Sequence, residues 1–385
     1  ETTIDPKLVV KLSIVCNPVM HHLLLGINPT ELGQAPFALA SSDSLYFKND
    51  HIGLNFLDNA NLYLLPCIAG HVGADAAAVI LSEAPNESEE TVLIIDVGTN
   101  AELILGNKSE LYACSSPTGP AFEGAQISSG QRAAPGAIEK IKIDPISKDP
   151  IFKVIGCDYW SNEEQFQNFL SNQKITGICG SGIIEAIAEM RMTGILDASG
   201  LIGTSSETGS ERCISEGRTN SYIIYKNMVN DETAIKITNS DVRAIQLAKA
   251  ALFAGSRLLM DEMKIDKIDK IILAGAFGAH ISTKHAMVLG MIPDCNLKKV
   301  TSAGNAAGAG AMIALLNRKS RLEISKTVKK INKIETAMAP KFQEYFVSAS
   351  AIPNSMFSFP ELEKVMKLPD VSFNQKKRSK RANYN

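Results

Sequence analysis

Apolar residues come in short runs separated by polar, glycine-rich turns, and two periods alternate along the chain. Leu12–Cys16 reads as a buried strand, followed by a turn at Asn17–Pro18 and a helix reaching Leu25. Gly26–Phe56 is rich in Gly, Pro, Asn and Ser, which predicts a loop-heavy insertion. Leu62–Leu65 is a second strand; it leads through Gly70–Gly73 into an alanine-rich helix ending at Leu81. Ala84–Glu90 is a polar, acidic break, after which the pattern restarts. Val92–Ile95 ends at Asp96, Ala101–Leu105 runs back, and Leu111–Cys114 completes a β-meander of three antiparallel strands. Asp144–Gln173 and Gly203–Asn230 are charged and predict irregular surface insertions. Between them, Gly180-Ser181-Gly182 opens a helix that continues to Met192. Asp241–Met263 predicts a long amphipathic helix capped by Asp241 or Ser240. Ile271–Leu273 and Val300–Ser302 are strands, running into Gly275–Gly278 and into Gly304-Asn305; a small-residue helix follows to Leu316. Such alternation predicts the α/β class, with Leu12–Cys16 and Leu62–Leu65 in a sheet separate from that of the meander.

Composition narrows the function. The chain has 385 residues, 45% of them hydrophobic and 21% charged, as in ordinary globular proteins. A formal net charge of -2 gives no basic face for nucleic acid. Leu8–Leu25 is interrupted by Lys11, Asn17, His21 and His22, so it is neither a membrane span nor a signal peptide. The basic stretch Lys376–Arg381 reads as a disordered, solvated tail. Cys16, Cys67, Cys114, Cys157, Cys179, Cys213 and Cys295 form no CxxC pair and no ferredoxin spacing. They read as small buried hydrophobes in a reducing cytoplasm. His21 and His22 are adjacent and point in different directions, which disfavours a shared metal.

The informative segment is Val92–Leu105, VLIIDVGTNAELIL. A buried strand delivers the Asp96 carboxylate to a rim. Gly98 lets backbone approach an anion, and Thr99 and Asn100 add a hydroxyl and an amide in the same turn. An Asp there can hold a water of magnesium, which keeps its hydration shell. A plain hairpin with glycine in its turn accounts for the segment equally well when it is taken alone. Two later segments weigh against that reading. ILAGAFGAH at Ile272–His280 and SAGNAAGAGA at Ser302–Ala311 again place glycines directly after a strand. Tight helix packing accounts for Gly308 and Gly310, but not for three strand-then-glycine turns.

DVGTNAELIL resembles a phosphate hairpin of the actin-like ATPases, the ASKHA superfamily, and LAGAFG resembles their adenosine motif. More narrowly, IVCNPVMHHLLLGINPTELGQAPF, LLPCIAGHVGAD, PTGPAFEGAQISSG, ITGICGSGIIEAI, DVRAIQLAKAALFAG and LAGAFGAHI are similar to the reductive activators of corrinoid proteins, in that family's order and over the chain to about Pro360. The resemblance implies duplicated ribonuclease-H-like halves with ATP and Mg2+ in the cleft between them. It places Asp96, Gly98, Thr99, Asn100 and Glu102 in the second half's phosphate hairpin, with Asp96 at the metal. Gly275, Phe277 and Gly278 fall at the adenosine end, beside Gly304 and Asn305. Gly180, Ser181 and Gly182 are further candidate nucleotide contacts. Gly73 and Asp75 lie at the start of the helix ending the first half; Asp75 orients water or metal, or simply caps that helix.

On this reading residues 1–90 are the remainder of the first half, 91–320 are the second half with insertions, and 321–385 are a C-terminal extension. The family's plant-type 2Fe-2S domain and first phosphate hairpin are expected in a segment preceding Glu1. The implied task is to return a corrinoid protein of a methyltransferase or O-demethylase system from Co(II) to Co(I) at the expense of ATP. This chain would supply the nucleotide-binding and partner-docking part, with a homodimer as the candidate assembly. Two alternatives stand beside it. One is a small-molecule kinase of the same superfamily, which needs a carboxylate base and has only Asp75 and Glu102 to offer. The other is a non-hydrolysing scaffold that binds a partner.

Overall fold

The structure is a computed structural model that describes residues 4–226, 234–278 and 280–373, with backbone alone at 172, 276 and 277. The first elements are strand β1 (Lys11–Ile14), helix α1 (Pro18–Leu24), β2 (Leu45–Lys48), β3 (Asn61–Leu64) and α2 (Ala74–Glu83). The meander follows as β4 (Val92–Val97), β5 (Ala101–Gly106) and β6 (Leu111–Ser116). Next come β7 (Ala137–Ile143), β8 (Pro150–Val154), α3 (Gln165–Asn172), β9 (Gly177–Ile178), α4 (Gly180–Met192) and α5 (Ser205–Thr208). Strands β10 (Cys213–Glu216), β11 (Thr219–Tyr225) and β12 (Ile235–Thr238) lead into the long α6 (Asn239–Glu262). The chain continues through β13 (Lys270–Ala274), α7 (Gly275–Gly278), α8 (Thr283–Leu289), β14 (Val300–Gly304), α9 (Ala306–Leu316) and α10 (Arg318–Val328). It closes with β15 (Asn332–Lys333), α11 (Phe342–Ser348) and α12 (Pro360–Glu363).

These elements gather into two units. The first comprises Glu1–Pro117, Ala254–His280 and Cys295–Gln343; the second comprises Thr118–Phe253, Ile281–Asp294 and Glu344–Asn385. In the first unit the meander is the centre of a six-stranded sheet ordered β14-β13-β4-β5-β6-β15. β4, β5 and β6 pair antiparallel, while β13 and β14 run parallel to β4. The other sheet of this unit has the order β1-β3-β2, with β1 and β3 parallel. One arrangement therefore occurs twice: two parallel strands, the second of which opens a small-residue helix. β3 leads to α2, and β14 leads to α9. The helices can touch because their sequences, ADAAAVILSE and AAGAGAMIALL, carry little bulk. A Cβ at Gly310 would overlap the Ala78 carbonyl, so the backbones meet where glycine stands. Ile68, Ala77, Ile80, Ile94, Ile104 and Ile272 fill the space between α2 and the larger sheet.

The second unit holds two three-stranded sheets, β8-β7-β9 and β10-β11-β12. α4 packs on β7, and a Cβ at Gly182 would run into the Ile138 carbonyl at that contact.

The meander and the separate β1/β3 sheet match the sequence expectation. Three local expectations are corrected. Gly26–Phe56 contains a strand, β2, antiparallel to β3. The stretches read as irregular insertions carry β8, α3, β10 and β11; β8 alternates buried and half-buried positions and pairs with β7, so its apolar face is covered. Residues 227–230 of the second stretch and the basic tail at 376–381 lie outside the described residues. Finally, α6 starts after Thr238. The Asp241 carboxylate accepts from the Thr238 amide at 2.8 Å, while the Asp241 amide donates to the Thr238 hydroxyl at 3.2 Å. Asp241 is thus the inner partner of a capping box, not the cap itself.

Candidate functional site

Three strand or helix ends in the first unit bring carboxylates together. Asp96 is the penultimate residue of β4 and faces Glu102 of β5 directly across the ladder, so both side chains lie on one face of the sheet. Asp75 stands in the first turn of α2, where its carboxylate accepts the Ala76 amide at 2.9 Å. Burial comes first in raising all three acids, and their mutual repulsion adds to it. Asp96 is pushed up to about 6 by burial and by Asp75. Glu102 is held well above the usual range by burial, then by Asp75 and Asp96, with the Ser115 hydroxyl offering only a 3.5 Å hydrogen bond. Asp75 is raised by burial and partly relieved by backbone N–H groups. Among the described residues, no Lys, Arg or His forms an ion pair with any of the three.

Glycines border this acid cluster at two points because a side chain has no room there. Gly275 follows β13, whose last residue, Ala274, pairs with Asp96 of β4, and it has φ +86°. A Cβ on it would sit 2.5 Å from an Asp96 carboxylate oxygen. Gly73 caps α2, and a Cβ there would lie 2.6 Å from both an Asp75 carboxylate oxygen and the Cys16 carbonyl. The sequence motifs DVGTN, GAFG and HVGAD thus converge on one acid cluster. The β4–β5 turn at 98–100 is exposed, closed by the Gly98 amide donating to the Asn100 carbonyl at 3.0 Å.

The remaining candidates lie as follows. Gly278 accepts from the Ser302 hydroxyl through its carbonyl at 3.3 Å, tying the turn after β13 to β14. Gly304 ends β14 with φ +61°, and Asn305 caps α9 by accepting the Gly308 amide at 2.8 Å. The Phe277 side chain lies outside the described residues. Gly180, Ser181 and Gly182 belong to the second unit, in the first turn of α4; the Ser181 hydroxyl donates to the Glu139 carbonyl at 3.2 Å. Their observed contacts are those of helix packing.

A hydrated cation suits the three acids. No three His, Cys, Asp or Glu side chains among the described residues converge to ligate a metal directly. Magnesium keeps most of its water, so it would be held here through those waters and through phosphate oxygens. For an iron–sulfur cluster the described residues do not fit: all seven cysteines are separate free thiols.

Sequence reading overlooked a second acid network, in the second unit. Glu185 and Glu189, one turn apart on α4, accept the Ile141 and Ile143 amides of β7 at 2.9 and 3.0 Å. His285 of α8 lies 2.9 Å from Glu189 and 3.8 Å from Glu185. Burial would raise Glu189, but the His285 and Ile143 hydrogen bonds hold it below its ordinary value. The available signal was a pair of glutamates at i and i+4 in the otherwise apolar GSGIIEAIAEMRM.

Comparison with known proteins adds to this geometry. A family described as the C-terminal domain of RACo, the ASKHA domain, matches residues 90–363, and one described as the RACo middle region matches residues 1–86. The chain is 33% identical over 366 residues to the corrinoid activation enzyme RamQ of Eubacterium limosum, covering 93% of this chain and 58% of that protein. It is 28% identical over 299 residues to the [Co(II) methylated amine-specific corrinoid protein] reductase of Methanosarcina barkeri, covering 74% of this chain and 50% of that one. A solved reductive activator for corrinoid, iron-sulfur protein superposes with TM-score 0.78 at 31% identity, over 91% of this chain and 54% of the other. The chain therefore spans about half the length of the relatives it matches.

Proposed function

Because the chain belongs to the reductive activators of corrinoid proteins, with their middle region followed by their C-terminal ASKHA domain, we propose that it is the nucleotide-binding part of an ATP-dependent enzyme that returns a corrinoid protein from Co(II) to Co(I). The observation that carries this reading is the Asp75–Asp96–Glu102 cluster, half-buried, glycine-bordered and without a cationic partner among the described residues. Uncompensated buried acids are costly unless a cation joins them. A hydrated magnesium brought by ATP supplies that charge and neutralises the phosphates. Asp96 orients the metal's waters, and the 98–100 turn donates backbone N–H groups to phosphate. Gly275 leaves room for Asp96 and starts the turn that receives adenosine, with Gly278, Gly304 and Asn305 beside it. Asp75 and Glu102 hold protons near the phosphate end and exchange them as the metal arrives or leaves.

The cobalt sits in the partner and is the substrate. One electron converts Co(II) to Co(I), and it comes from a donor outside the residues described. ATP contributes by favouring one conformation of the activator over another, which requires different nucleotide contacts in the two states. The two family models meet near residue 90, which supports a functional division there. No helix among the described residues is long and apolar enough to cross a membrane, and we place the protein in the cytoplasm.

The test is ATP hydrolysis by the full-length protein. A Co(II) corrinoid protein should stimulate it, and sugars and small acids should not; Asp96→Ala should remove the stimulation. Stimulation by a small hydroxyl acceptor with phosphate transfer would establish the kinase reading instead. Corrinoid binding with no nucleotide turnover would establish the scaffold.

A further inference from the structure

Within the second unit, the segment from Pro353 to Leu368 leaves the body of the protein, forms α12, and returns. Its two ends are held by one side chain. Arg191, near the end of α4 and buried, donates from Nε to the Ile352 carbonyl at 3.3 Å and from Nη1 to the Pro369 carbonyl at 2.7 Å. A second buried side chain braces the same base: Lys249 Nζ donates to the Ala351 carbonyl and the Pro353 carbonyl, the latter at 2.7 Å. Asp294 caps α12 by accepting the Glu361 and Leu362 amides at 2.8 and 3.1 Å. The segment is therefore an Ω-like excursion with an ordered frame, a kind of loop that frequently carries function.

Between this excursion and Arg191 lies a cavity of about 600 Å3. Phe357, Phe359, Leu362, Met366 and Leu368 give its wall an apolar side, while Asn354, Ser358 and the exposed Glu363 and Lys367 border it on the polar side. Its size falls within the usual range for small-molecule sites, roughly 300–1,000 Å3. Arg191 is the buried charged group in the wall. A guanidinium carries five donors, and the two hydrogen bonds above leave Nη2 without a partner among the described residues. Nη2 is not sealed from solvent either. Burial lowers the Arg191 pKa from its ordinary value, and Asp197 and Asp370 offset part of that, but neither forms an ion pair with it. A buried, positively charged fork at an apolar cavity matches one ligand chemistry. The planar fork takes a carboxylate through two parallel hydrogen bonds, and the wall takes an apolar body.

We propose that this cavity is a binding site for an apolar carboxylate, with Arg191 holding the acid and Phe357, Leu362 and Met366 holding the body. Two sources offer that chemistry: a free aromatic or branched acid, and the C-terminal end of a peptide with a large apolar last residue. The site is separate in sequence and chemistry from the Asp96 cluster and needs no nucleotide.

The experiment is calorimetric titration of the purified chain, without nucleotide, using 3-phenylpropanoate and its uncharged amide. A tetrapeptide ending in phenylalanine, with free or amidated C-terminus, is the second pair. We expect saturable binding of the acid, at least tenfold weaker binding of the amide, and loss of binding in Met366→Trp, which fills the cavity without touching Arg191. Leu368→Trp serves the same purpose should Met366→Trp lower the thermal midpoint. Preference for the acid over the peptide identifies a free metabolite-sized ligand, and the reverse identifies a chain end. Equal affinity for acid and amide, binding undiminished in a folded cavity-filling variant, or no binding of any probe overturns the proposal. None of these outcomes bears on ATP hydrolysis at Asp96.

Discussion

The two units each bury a cluster of acids and treat it in opposite ways. In the second, Glu185 and Glu189 each accept a strand amide and face His285, which holds Glu189 below its ordinary value while burial still raises Glu185. In the first, Asp75, Asp96 and Glu102 repel one another without a cationic partner among the described residues. The first cluster is half-buried and the second buried, and compensation differs as well. A compensated cluster is a fastening, because removing any member leaves another exposed to its full desolvation cost. An uncompensated cluster is a vacancy for charge, and its members are held at the ends of strands and helices where a ligand can reach them. Buried acids mark a binding site when their neighbours fail to neutralise them.

The largest effect that would break this contrast is on stability. Glu189→Ala leaves His285 and the Ile143 amide without their acceptor, and breaking a buried pair typically costs about 3–5 kcal/mol. Urea unfolding should show a loss of that order, whereas Asp96→Ala should leave stability unchanged or raised. A comparable loss in both variants would mean that the first cluster is also a fastening. Next in size is ligand binding. Asp96→Ala should weaken magnesium-nucleotide binding to the full-length protein by about 1–3 kcal/mol, the range for charge-assisted hydrogen bonds, as measured by calorimetry; Glu189→Gln should not alter it. Gly275→Ala comes third. Its positive φ and the Asp96 oxygen both oppose a methyl group, so about 1–2 kcal/mol of stability should be lost, and nucleotide affinity should fall with it.

The smallest effect is the most discriminating, because its sign differs between Asp96 and Glu189. Asp96 has a folded-state pKa of about 6, above its ordinary 3.8. The folded state therefore binds the proton more tightly, and this group adds stability as pH falls from above 6 toward 4. Glu189 is lowered below 4.5. Its contribution is complete above that value and is lost as pH falls through the folded pKa. Unfolding free energies from pH 7 to 4 should lose Asp96's share of the rising component in Asp96→Asn, with the shares of Asp75 and Glu102 remaining, and keep all of it in Glu189→Gln. Magnesium-nucleotide affinity should likewise decline below about pH 6 in the parent protein and not in Asp96→Asn.

Much of the first cluster was legible because its parts are local. An apolar run ending in Asp96, with glycine and an amide in the following turn, is visible in one stretch of fourteen residues, VLIIDVGTNAELIL. The turn geometry at Gly275 could be anticipated from the strand before it. What no local pattern contained was the reason for that glycine, since the atom that excludes a Cβ belongs to Asp96, on a neighbouring strand nearly 180 residues earlier in the chain. The second cluster was illegible for the same cause. His285 meets Glu189 across 96 positions. Strands β8, β10 and β11 were missed because each lies in a stretch with many charged residues around it, and that charge outweighed a modest alternation until a partner strand was known. The boundary between units was also hidden, because each is assembled from three separate stretches of chain.

The glutamates of α4 have one more consequence, for how the protein behaves when it fails. β7 pairs with β8 along one side, but on the other side β9 covers only Ala137 and Ile138. The amides of Ile141 and Ile143 would otherwise form an open strand edge, and such an edge is a template for aggregation. Glu185 and Glu189 occupy the positions where a foreign strand would accept those amides. Protonation of Glu189, or its loss, uncovers one of them while most of the sheet still stands. Self-association of this protein should then begin at β7, from a partly opened species and not from the unfolded chain, and acid should promote it before it promotes unfolding.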